Sequence, residues 1–156
     1  MLTLLTTLQT RMRAALVPAI VGQVYLGIAG QERQALLSDY DLLIIDDGGE
    51  DPVRGEHPSS TEIRLRHVIY EMLVRATDID ISLSRLLTKW AALETEILAE
   101  TNKVIYVGAN RITDAVDQWF TVESGLIGNE DMPTWRYRRA VVDYRVPVRR
   151  GGQHPY

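Results

Sequence analysis

The chain is expected to fold as α+β, a mostly antiparallel twisted sheet with two amphipathic helices packed on one face and long projecting strands. Three observations point there. Two segments place apolar residues at helical spacing, and two long segments alternate apolar with polar residues. Their order is helix, short strands, long loop, long strand, helix, strand and long strand, which suits helices gathered on one side of a sheet.

The opening helix carries Leu2, Leu5, Leu8, Met12 and Leu16 on one side, and Thr7, Gln9, Thr10, Arg11 and Arg13 on the other. Pro18 and Gly22 close it. Val24–Ile28 and Tyr40–Ile45 read as short strands, the second β-branched and apolar. Residues 31–38 fit either one helical turn or a loop. Asp46–Ser60 (DDGGEDPVRGEHPSS) reads as a long acidic loop, because glycine, proline and charge leave nothing to bury. At about 15 residues such a loop exceeds the usual connection and points to a function or to mobility.

Thr61–Arg75 reads as a long strand. Ile63 and Leu65 alternate with charge, then Val68, Tyr70, Met72 and Val74 take the opposite parity. Either both faces are covered in the second half or a bulge changes the facing. Asp80–Thr101 is the second helix, with Leu83, Leu86, Leu87, Trp90, Leu93, Ile97 and Leu98 as its apolar stripe. Asp78 or Asp80 can cap its start and Asn102 can stop it. Residues 103–110 pair or loop, Val116–Glu123 forms a strand, and residues 124–133 make a turn. Thr134–Arg149 is the second long strand, and Pro147 places its end on an edge or past the sheet. Residues 1–150 make one domain, and 151–156 form a flexible tail.

A domain of 156 residues has a diameter near ~40 Å, whereas a 15-residue strand spans about 50 Å. Such strands either curl or project, and a projecting edge invites a neighbour. Charge is segregated as well. Asp39, Asp41, Asp46, Asp47, Glu50, Asp51 and Glu56 accompany a single base, Arg54. Arg136, Arg138, Arg139, Arg145, Arg149 and Arg150 accompany a single acid, Asp143. Asp46, Asp47, Glu50 and Asp51, with those six arginines, are therefore the candidate interface or lumen residues. They suit head-to-tail contact in a closed ring, or they are solvated surface, or they meet within one subunit.

Composition excludes several chemistries. There is no cysteine, hence no disulfide, thiolate zinc site or thiol catalysis. The net charge of -4 argues against a non-specific nucleic-acid coat. No apolar run approaches the ~18 residues of a membrane span, and the N-terminus lacks the basic start of a secretory signal. His57 lies near Ser59 and Ser60, but no nucleophile elbow accompanies them. The acids do not follow a calcium-loop spacing, and Gly48-Gly49 is followed by acids that would repel phosphate. No enzymatic activity and no cofactor are expected.

TLLTTLQTRMRAAL as opening helix, STEIRLRHVIYEMLVRA as long strand and ISLSRLLTKWAALETEILAE as second helix form a recognisable succession. VDQWFTVES and the closing TWRYRRAVVDYRVPVRR complete it. The order resembles that of the tail terminator (tail completion) proteins of long-tailed bacteriophages. The resemblance implies a small structural subunit, similar in fold to tail-tube subunits, that closes into a homo-oligomeric ring, by resemblance a hexamer. Its implied partners are itself, the tail-tube protein, the head-side connector protein and DNA passing through the lumen. The implied location is the virion tail, assembled in the host cytoplasm. A head-side connector, a tube subunit, or an unrelated α+β ligand binder or enzyme are the alternatives.

Overall fold

The computed structural model describes residues 2–27, 41–52, 61–77, 79–107, 110–129 and 132–149. The elements are α1 (Leu2–Leu16), β1 (Gln23–Leu26), β2 (Leu42–Pro52), β3 (Thr61–Arg75), α2 (Ile79–Leu98), a one-turn α3 (Glu100–Lys103), β4 (Val104–Val107), β5 (Asn110–Asn129) and β6 (Met132–Arg149). Residues 31–38, Asp78 and the tail at 151–156 lie outside the described residues.

The strands form one sheet in the order β1-β2-β3-β6-β5-β4. Only β1 and β2 run parallel; every other pairing is antiparallel. The expected α+β architecture is therefore present. The β3–β6 ladder runs from Thr61↔Arg149 to Arg75↔Trp135 without a shift of register. The change of apolar parity in β3 thus has the first explanation, that both faces are covered. Val68, Tyr70, Met72 and Val74 face the helices, while Leu73 and Glu71 are buried on the other side.

The main core lies between the helices and that face. Leu4, Leu5, Leu8, Met12 and Leu16 of α1, with Leu86, Trp90, Leu93 and Ile97 of α2, pack on residues of β1, β2, β3 and β6. Both helices therefore cover one face of the sheet. The buried stripe of α2 is rotated from the expected one: Leu86 is buried, whereas Leu83, Leu87 and Leu98 are each 45% exposed. Helical spacing alone leaves two adjacent apolar arcs on α2, and contact with the sheet selects between them. Asp80 lies inside α2 rather than before it. Nor does Asn102 stop the helix: α2 ends at Leu98 and Asn102 lies inside α3, from where its Nδ2 donates to the Glu96 carbonyl at 2.7 Å and its Oδ1 accepts from Arg11 at 3.2 Å.

Asp41 anchors α2 to the sheet. It pairs with Arg85 and with Lys89 (3.1 Å), and its Oδ1 accepts the Arg75 backbone N–H. In the core the Tyr70 and Tyr144 hydroxyls bond each other at 2.8 Å, so neither polar group is orphaned. Burial, the largest effect on each, raises both hydroxyl pKa values, that of Tyr144 to about 12. A smaller cluster (Leu42, Ile44, Leu73, Trp135 and Tyr137) is buried on the face away from the helices.

Two loops expected from composition are strand instead. Residues 46–52 of the supposed acidic loop continue β2 and pair with β3, from Asp46↔Ile69 to Pro52↔Arg64. Gly48 and Gly49 are absorbed by a register shift between Asp47 and Glu50, and Gly49 takes a φ of 95° that favours glycine. The remainder of that segment, residues 53–60, lies outside the described residues. Likewise the expected turn at 124–133 belongs largely to β5 and β6, whose last pairing is Asn129↔Met132. Residues 104–107 resolve the open reading of 103–110 as a strand, β4.

Candidate assembly surface

At ~3.3 Å per residue, the 18 residues of β6 reach about 60 Å, whereas the 20 residues of α2 reach about 30 Å. The helices therefore cover only part of the sheet's length. Its edges are uneven. β1 covers β2 only at Leu42–Ile45, with one further bond from Gly27 N–H to the Ile45 carbonyl. β4 covers β5 only as far as Asp114. Among the described residues, no strand pairs with the outer edge of β2 from Asp46 to Pro52, or with that of β5 beyond Asp114. These open edges lie on opposite sides of the sheet. They overlap in level, since the row Asp46, Ile69, Val141 and Phe120 crosses from one to the other.

The structure divides the candidate charges into separate groups. Asp46, Asp47, Glu50 and Asp51 lie at the level of β3 residues 65–69, whereas Arg136, Arg138 and Arg139 lie opposite β3 residues 71–74. The two sets do not meet within the subunit. Glu50 turns to the helix-side face, where it pairs with Arg64 and Arg66, each at 2.8 Å. Asp46 accepts the Asp47 N–H at 2.7 Å, and Asp47 accepts the Gly49 N–H at 2.8 Å, so both shape the bulge. Asp47 and Asp51 are exposed.

The arginines of β6 serve mainly inside the chain. Arg136 Nε donates to Ser82 Oγ at 3.0 Å, and the Arg138 guanidinium lies 5.3 Å from the Trp90 ring centre. Both fasten α2 to β6. On the opposite face Arg139 bonds Glu71 of β3 and Glu123 of β5, making a charged ladder across three strands. The Tyr137 hydroxyl donates to Glu123, whose carboxylate raises the hydroxyl pKa. Arg145 pairs in register with Leu65 and Asp114, and Arg149 with Thr61. Arg150 lies outside the described residues, as do His57, Ser59, Ser60 and His154.

One constellation escaped sequence reasoning. His67 of β3 places Nδ1 2.7 Å from Asp143 Oδ1 of β6 and Nε2 3.1 Å from Asp51 Oδ2 of β2. The hydrogen bond to Asp143 raises its pKa, partial burial works against the rise, and Asp51 adds to it. The available signal was Asp143 itself, the single acid in an arginine-rich strand. Among the described side chains that face away from the helices, Asp46, Asp51, Glu71, Glu123 and Asp143 outnumber Arg75, Arg139 and Arg145. Among the described residues no group of acids and histidines is arranged to hold a metal ion. No described helix is long and apolar enough to cross a membrane. No family model matches the chain, and no curated protein matches it.

Proposed function

We propose that this chain is a structural ring protein of a bacteriophage tail, acting as the terminator at the tube's head-proximal end. The observation that carries ring formation is the pair of strand edges, on opposite sides of one long sheet, that no described strand covers. Edge β2 of one copy can pair with edge β5 of the next, a heterologous contact that closes into a ring when the rotation per subunit divides a full turn. Main-chain hydrogen bonds supply the adhesion, as in any strand addition. The order of elements, which resembles that of tail terminators, supplies the place in the tail and the six-fold expectation.

In this reading the mechanism is geometric. One rim of the ring matches the tube and the other meets the head-side connector, refusing another tube layer. The acid-rich face away from the helices suits a lumen through which DNA passes without sticking, because like charges repel.

Ser124→Lys with Leu126→Lys tests edge pairing, since both side chains are exposed and a charged edge strand resists a partner. The wild-type chain, alone or on tube ends, assembles into rings. The double variant keeps its circular dichroism and melting but stays monomeric. Unchanged assembly of the variant overturns edge pairing as the contact.

A further inference from the structure

We infer that His67 is a proton-gated clamp on the acidic open edge: its ring, when protonated, ties the far end of β2 to β6 across β3, and when neutral releases β2. The geometry is that of a bridge, with each ring nitrogen facing a different carboxylate on a different strand. Only the imidazolium carries a proton on both nitrogens, so the neutral ring can donate to one carboxylate and must present a lone pair to the other.

The two carboxylates are unequal. The Asp143 side chain is 7% exposed and that of Asp51 is 73% exposed. Leaving Asp143 without a donor strands a charge away from water, whereas Asp51 is readily hydrated. The remaining proton therefore stays on the Asp143 side, and Asp51 is the contact released.

The position gives the release its effect. Asp51 lies just past the register shift at Asp47/Glu50, where the β2–β3 ladder must resume. Its neighbour Glu50 holds the opposite face through Arg64 and Arg66. The charged groups around His67 are Asp51 from β2 and Asp143 from β6, with Arg145 flanking on β6 and Asp46 of β2 on the same face at the level of Ile69. On β3 its same-face neighbours are Leu65 and Ile69, and Asp114 of β5 stands opposite Arg145. Carboxylates dominate, consistent with the raised pKa of the ring. The clamp is therefore complete below the ordinary imidazole value and is lost as pH rises through the higher folded value. The clamp stands without the ring reading; only its effect on assembly, a firmer and less negative edge at mildly acidic pH, rests on that reading.

The test follows two readouts on the free subunit by nuclear magnetic resonance. One is the titration of the His67 ring. The other is hydrogen-exchange protection of the Glu50, Asp51, Arg64 and Leu65 amides, corrected for intrinsic rates and referenced to the core amides of residues 70–74. The expected result is a His67 pKa above ~6.5. Edge protection should fall about two- to fivefold as pH passes that value, in keeping with a partly exposed ion pair. Asp51→Asn, an exposed change, abolishes the step while Asp143 keeps the ring's pKa raised. His67→Gln gives protection that does not vary with pH. A ring titrating at or below the ordinary value, or a step of equal size in Asp51→Asn, overturns the clamp. A clamp that titrates as expected in a chain that never assembles contradicts the ring reading instead.

Discussion

Arg139→Met is the perturbation that most sharply separates an internal strut from an interface residue. It removes the guanidinium that bonds Glu71 and Glu123, while keeping much of the side chain's apolar length. Glu71 is the costly partner, because its side chain is 12% exposed and it loses two contacts to Arg139. Breaking a fully buried pair costs about 3–5 kcal/mol, and an exposed pair about 0.2–1 kcal/mol. Arg139 is itself 37% exposed, so solvent screens part of the interaction. An intermediate loss of about 1–3 kcal/mol follows from those limits. For a chain of this size that corresponds to roughly 2–12 °C in Tm. The assay is urea denaturation of Arg139→Met, Glu71→Gln and the double variant, read as a double-mutant cycle. A coupling near 1 kcal/mol or more is expected for paired groups. Additive single losses within about 0.3 kcal/mol would show two solvated charges and refute the ladder.

Trp90→Ala should cost about 3–5 kcal/mol in urea denaturation, and Leu83→Ala under about 1 kcal/mol, because α2 buries the first and exposes the second. Equal losses would mean that the helix faces the sheet differently. The Tyr70–Tyr144 pair predicts alkaline sensitivity. Both hydroxyls have folded pKa values above the unfolded value of about 10, so their contribution is intact below that pH and declines as pH rises towards about 12. Tyr70→Phe with Tyr144→Phe should flatten that decline in pH-dependent melting while changing neutral-pH stability little. An equally steep decline in the double variant would count against it.

The helices and the two long strands were legible because each buries a continuous apolar pattern. Residues 46–52 were not, because composition there describes an exposed, charged edge and β3 supplies the pairing that makes it a strand. Gly125 and Gly128 read as turn formers, yet they lie within β5. A Cβ at Gly125 would stand 3.3 Å from the Tyr137 ring, and one at Gly128 would stand 2.9 Å from the Thr134 backbone. Glycine there permits close cross-strand approach rather than a turn. The segregated charges were visible in the sequence, but their partners were not. Asp46, Asp47, Glu50 and Asp51 occupy other levels of the sheet than Arg136, Arg138 and Arg139, Arg145 alone shares a level with Asp51, and Arg139 finds its carboxylates on β3 and β5. His67 and Asp143 lie far apart in sequence, so only the strand register brings them together.

If the chain is the phage tail protein proposed above, gold-labelled antibody against it, imaged on intact virions released by cells that carry its gene, tests the central claim most directly. Label confined to the junction of tail and head is the predicted result. Virions that lack the chain, or carry it only along the tail shaft or at the distal tip, would contradict the terminator assignment.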